Sequence, residues 1–199
     1  MKKTAETRFP LHDLIAERWS PRAFADRPVE AQVVGSLLEA ARWAPSAFNE
    51  QPWRFFVAHR AHADDHRRLS ECLVEGNAWA REAPLLVLTV ANTSFTRNGK
   101  PNAHARHDVG LATMSLVLQA QAEGLVSHQM AGFDPQRART SLGIPDGFEP
   151  VAMVAIGYPG DEDRLPEALR EREAAPRGRH ELEAMVFGAG WDQPFDLGR

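Results

Sequence analysis

The chain has 199 residues, 43% hydrophobic and 25% charged, which is ordinary for a globular protein and long enough to bury a sizeable core in one domain. With 23 Lys and Arg against 27 Asp and Glu the net charge is −4, so nothing global favours nucleic acid or an anionic membrane, and any anion site has to be local. The single cysteine, Cys72, excludes an intrachain disulfide and a multi-cysteine metal or cluster site. The basic N-terminus has no apolar core behind it and does not read as a secretory signal, and no apolar run approaches the roughly 18 residues of a membrane helix, so a soluble cytoplasmic domain is expected.

The first predicted element is a helix in "PLHDLIAERW", with Leu11, Leu14, Ile15 and Trp19 on one stripe and Pro21 ending it near Ser20. A second amphipathic helix follows in "PVEAQVVGSLLEAARWA", stopping before Pro45. "WRFFVAH" reads as a strand and "ADDHRRLSECL" as a surface helix. "APLLVLTVA" is a continuous apolar run of strand length, expected to be covered on both faces, and the polar loop "NTSFTRNGKPN" comes after it. "HARHDVGLATMSLVLQAQAEG" predicts a central core helix ending at Gly124. "LVSHQMAGF" and "PVAMVAIGY" are strands on either side of a short capped helix in "DPQRARTSLGI". The tail "PGDEDRLPEALREREAAPRGR" is charged and proline-bearing, which places it over the surface or over a partner subunit, and "HELEAMVF" can form a last short helix. Helices and strands mix without a strict βαβ rhythm, which favours an α+β architecture with four or five strands.

Common nucleotide and nucleophile motifs are absent: there is no GxxxxGK[ST], no GxGxxG after a strand and no GxSxG. His59, His62 and His66, and the pair His104 and His107 before Asp108, have spacings that could align metal ligands; solvated surface histidines are the competing reading. His128, inside a strand, and Cys72, beside Leu69 and Leu73, read as packed residues. Arg18, Ser20 and Arg22 in "RWSPR" can converge in a turn on a phosphate, since guanidinium donors and a hydroxyl suit its oxygens; a solvated helix end is the plain alternative. "PSAFNEQPW" offers Ser46, Asn49 and Gln51 to a polar ring edge or a polyol, or is an ordinary loop before a strand.

Taken together, "RWSPRAF…APSAFNEQPWRF", "HDVGLATMSLVLQAQAEGL", "SHQMAGFDP" and "VAMVAIGYPG" with a basic tail resemble the nitroreductase family of FMN-dependent NAD(P)H oxidoreductases, from about Leu11 to Trp191. The resemblance implies a nitroreductase-like fold, with a mixed, mostly antiparallel sheet flanked by helices. It also implies a homodimer with FMN at the interface and the tail, about residues 160–199, wrapping the partner. It assigns Arg18, Ser20 and Arg22 to the phosphate and ribityl end, with Trp19 contributing backbone. Pro45, Ser46 and Ala47 would reach the flavin face from the other subunit, with Asn49 and Gln51 nearby, and Arg177 and Arg179 would reach the phosphate. Gln129, Met130, Ala131 and Gly132 would lie by the flavin N5 edge, a backbone N–H near Ala131 serving where many relatives carry glutamate, and Asn77 would face the pyrimidine edge. The implied chemistry belongs to the flavin: NADH or NADPH reduces it, a small organic acceptor reoxidises it in the same place by ping-pong kinetics, and no catalytic side chain is needed. Related scaffolds carry out dehalogenation, enal or semialdehyde reduction or flavin breakdown, and a non-catalytic flavin-binding protein is a further alternative.

Overall fold

The computed structural model describes residues 3–198. Its centre is a four-stranded sheet of β1 (Trp53–His59), β2 (Leu85–Asn92), β3 (Val126–Met130) and β4 (Phe148–Gly157), in the spatial order β1-β2-β4-β3. All three pairings are antiparallel, so the mixed sheet expected above is antiparallel throughout. The central strand β2 alternates between two cores. Leu85, Val87 and Ala91 pack on one face with Leu37 and Ala41 of α2 (Ala31–Arg42) and Val109, Ala112 and Leu116 of α4 (Ala105–Ala122). Leu86, Leu88 and Val90 pack on the other with Leu69 of α3 (Ala63–Ser70), Ala138 of α5 (Pro135–Leu142), Cys72 and Met153. The apolar run of β2 is therefore explained by burial on both faces.

Pro150 sits in the inner strand β4, where a missing N–H would break a ladder. The register shifts there: Thr89 pairs with Ala152 and Val90 with Pro150, leaving Val151 as the extra residue. The buried Thr89 hydroxyl closes the irregularity, donating to the Ala152 carbonyl and accepting from its N–H, both at 3.1 Å. The short helix α5 has the ends its sequence announces: Asp134 caps it by accepting from the N–H groups of Gln136 and Arg137, and Gly143 closes it at φ 64°.

Two expectations are corrected. The first helix is only α1 (Asp13–Ala16). The Ala16 carbonyl, which would have bonded the N–H of Ser20, instead accepts from Ala5 N–H at 2.8 Å and from Arg177 Nη1 at 2.8 Å. The rest of the stripe is thus released as a turn. The tail is less irregular than its composition suggests: it holds α6 (Glu167–Ala174), whereas "HELEAMVF" forms only a 3-10 turn at Leu182–Ala184.

Candidate functional site

The turn after α1 lies on the end of β4. Ala25 N–H donates to the Tyr158 carbonyl and Gly160 N–H to the Ala23 carbonyl, both at 3.0 Å, and Phe24 bridges Pro159. Gly160 is obligatory in this contact, because a Cβ there would sit 2.3 Å from the Phe24 carbonyl carbon. The Pro21 carbonyl meets His128 Nδ1 at 3.1 Å, so His128 of β3 is the packed, bonded residue its position foretold.

Arginines gather on this turn. Arg18 Nη1 donates to Ser20 Oγ at 3.3 Å, and Arg177 from the tail reaches the carbonyls of Ala16 and Lys3 at 2.8 and 2.6 Å. Burial, and then the charges of Arg177 and Arg179, hold the Arg18 guanidinium below its ordinary range; burial and Arg179 do the same to Arg177. Arg177 is thus held to the turn by main-chain carbonyls and Arg18 by the Ser20 hydroxyl, while Arg179 bonds only the carbonyl of its neighbour Gly178 at 2.7 Å. A cavity of about 290 Å³ lies against the turn, walled by Trp19, Pro21, Leu125 and Glu173 among others, and none of the three arginines lines it.

Arg22, on the same turn, has an acidic partner instead. Glu173 of α6, 2% exposed, accepts from the Arg22 N–H at 2.7 Å and from Arg22 Nη1 at 3.2 Å. The Arg22 guanidinium lies 5.8 Å from the Trp79 ring centre, and Trp79 packs on Phe24 and on His128.

The 3-10 turn Glu75–Glu82 brings Asn77 to the end of β3, where its Nδ2 donates to the Gly132 carbonyl at 2.9 Å. Gly132 lacks the Cβ that would meet Asn77 Nδ2 at 2.6 Å, so this glycine is what lets the two segments touch. Gln129 and Ala131 are exposed, whereas the Met130 side chain is buried in the second core and leaves only backbone for a ligand. The same 3-10 turn thus meets the segment after β3 through Asn77 and carries Trp79 against His128 and Arg22.

Pro45, Ser46, Ala47, Asn49 and Gln51 lie elsewhere, at the start of edge strand β1. Ala47 N–H donates to the buried Asp108 carboxylate of α4 at 3.0 Å, and Ser46 Oγ accepts from Gln51 N–H at 3.0 Å. Phe48, Asn49 and Gln51 all have φ between 49° and 56°, the left-handed region that side chains rarely adopt. Glu50 accepts from Thr96 N–H at 2.6 Å, and Phe48 meets Phe95 edge-on at 5.9 Å, tying this loop to residues 92–102. The Gln129–Gly132 segment leaves the opposite edge strand, three strand spacings or roughly 14 Å across the sheet.

The structure therefore brings together Arg18, Ser20 and Arg177, leaves Arg179 exposed two residues beyond, joins Asn77 with Gly132, and holds the 45–51 loop at the other edge. Trp79, Asp108 and Glu173 were missed by sequence reasoning; Glu173 lies in "REREAA", where nothing distinguishes it from its solvated neighbours. Among the described residues no group of three or more His, Cys, Asp or Glu is placed to hold a metal ion. His59 and His66 instead bond the carbonyls of Val29 and Ala83, and burial pushes the Cys72 thiol up.

The nitroreductase family model matches residues 15–78 and 65–158. A solved oxidoreductase containing FMN superposes with a TM-score of 0.88 at 38% identity, covering 94% of this chain and 95% of that one. An NADH dehydrogenase from Thermus thermophilus is 31% identical over 177 residues, spanning 73% of this chain and 85% of its own. A 15.4 kDa protein encoded in the ask 5′ region of Mycolicibacterium smegmatis is 37% identical over 148 residues, 71% of this chain and 99% of its own. Arg18, Ser20 and Arg22 and all four strands lie within the matched segments, and the chain belongs to the nitroreductase family.

Proposed function

We propose that this chain is an FMN-dependent oxidoreductase that draws on NADH or NADPH and reduces a small organic acceptor, such as a nitroaromatic compound or a quinone, by ping-pong kinetics. The observation that carries the reading is the Ser20 turn itself, where Arg18 meets Ser20 Oγ and Arg177 of the tail meets the Ala16 carbonyl, with Arg179 two residues further along the tail. FMN phosphate carries roughly −1.5 to −2 charges at neutral pH, by analogy with phosphorylated side chains, and this cluster suits it. When bound, FMN supplies the two-electron chemistry.

The residues divide the remaining tasks. Arg18, Ser20, Arg177 and Arg179 hold the phosphate end, with the Trp19 backbone beside them. Arg22, Asn77 and the Gln129–Gly132 backbone offer N–H groups to a polar ring edge. Pro45, Ser46, Ala47, Asn49 and Gln51 complete the site from a second copy of the chain, a reading supported by their position at the opposite sheet edge. Exposed apolar side chains support a homodimer as well: Trp43 is 75%, Phe48 74% and Trp191 83% exposed, and Leu11, Ile15, Met185 and Phe195 add to them. The chain then acts as one cofactor-binding unit, with the distal tail over the partner. No helix among the described residues is long and apolar enough to cross a membrane, and a cytoplasmic location fits this reading.

The test is an absorbance spectrum of the purified protein under anaerobic conditions, before and after NADH and NADPH. Flavin bands that bleach with either nucleotide are expected. A colourless protein that takes up no added FMN refutes the cofactor, and bound FMN that neither nucleotide reduces refutes the activity. Light scattering at micromolar concentration should give a dimer.

A further inference from the structure

Two features of the tail pull in opposite directions. Arg177 bonds the Ala16 carbonyl two residues before Arg18, and Arg18, depressed first by burial, also feels the charges of Arg177 and Arg179. A few residues earlier, α6 sends Glu173 inward, and this carboxylate is almost wholly buried with Arg22 as its partner. Its two oxygens take one main-chain and one side-chain N–H of the same residue, so the contact fixes both the turn and the guanidinium. Lys3 adds to the joint by donating to the carbonyls of Glu173 and Ala175. A buried charge is retained in such a place only when it is paired, and loss of either partner is strongly destabilising locally.

We propose that Glu173 is a positioning residue for the cofactor turn: its bond to Arg22 latches the tail and so keeps Arg177 and Arg179 beside Arg18 before any anion arrives. Tail docking and anion binding are then coupled. The latch prepays the convergence of the cations, and an anion in their midst tightens the tail in return. The latch belongs to the chain without cofactor, and its consequence for FMN rests on the function proposed above.

The experiment is amide hydrogen exchange of residues 167–179 in the full-length protein without flavin, for wild type, Glu173→Gln, Arg18→Gln and the double variant. Glu173→Gln should speed tail exchange about tenfold, Glu173→Asp should recover part of the protection, and in the Arg18→Gln background the loss should shrink to about threefold, since less repulsion remains to be held. In parallel, fluorescence titration should show FMN binding weakened about tenfold by Glu173→Gln while riboflavin, which lacks the phosphate, changes by less than about threefold. Unchanged tail exchange overturns the proposal, as does an equal loss in the Arg18→Gln background, which would reveal simple packing. Should Glu173→Gln fail to fold, Glu173→Asp and Arg22→Lys serve in the same cycle. A coupled exchange cycle in a protein that binds neither flavin upholds the latch and sinks the cofactor reading instead.

Discussion

Replacing Gly132 by alanine tests the contact that joins the 3-10 turn to the end of β3. The new Cβ would lie 2.6 Å from Asn77 Nδ2 and 3.1 Å from Val74 Cγ2, so the Asn77 amide has to move. Moving it breaks the 2.9 Å bond to the Gly132 carbonyl. Overpacking costs about 1–3 kcal/mol and the lost hydrogen bond about 1 kcal/mol, offset by about 0.4–1 kcal/mol from the stiffer unfolded chain, because Gly132 does not have a positive φ. The net loss is about 2 kcal/mol, or a fall of about 4–8 °C in Tm for a chain of this size. Urea denaturation of Gly132→Ala in the wild-type and Asn77→Ala backgrounds measures it. With Asn77 already truncated only the Val74 contact remains, and the cost should fall below about 1 kcal/mol. Flavin uptake should weaken in step. An equal cost in both backgrounds would refute the claim that Asn77 is what Gly132 accommodates.

Gly160→Ala should be harsher, above about 3 kcal/mol or an insoluble product, since its Cβ would meet main-chain atoms of Phe24 that cannot swing aside; soluble expression and Tm check it. His66 and His128 both have their protonation pushed below the usual histidine value, chiefly by burial. The unfolded chain therefore binds protons first: the stability these groups contribute is intact above about pH 6.5 and is lost as pH falls through their lower folded values. Denaturation midpoints should decline between about pH 6.5 and 5, before ordinary carboxylates titrate, and His128→Gln should flatten the decline; a midpoint independent of pH in that window would contradict it.

The strands were legible because burial on two faces leaves an apolar run with turn residues at its ends, as in "LLVLTVA". α5 was legible for a local reason, its Asp-Pro start and Gly stop. Helix α1 was misjudged because its end is set by Arg177, more than 150 residues away, which no local pattern records. Arg18 and Ser20 were singled out from a short motif and do bond each other, and Arg177, named from the basic tail, meets the same turn at the Ala16 carbonyl. Glu173 and Asp108 could not be found: each is one acid among many in the sequence, and only burial against a distant N–H sets it apart.

The loop from Ser46 to Gln51 has a consequence for variation. Surface loops ordinarily accept substitutions in proportion to their exposure. Here three consecutive or near-consecutive residues with side chains occupy a backbone region open mainly to glycine and asparagine, and only Asn49 is a residue suited to it. The ranking of tolerated replacements should therefore invert the usual one. At Phe48 and Gln51, glycine or asparagine should be accepted more readily than any conservative aromatic, aliphatic or β-branched exchange. A library randomised across this loop would be expected to return from selection for folding enriched in small, flexible residues at positions that look, from accessibility alone, free to drift.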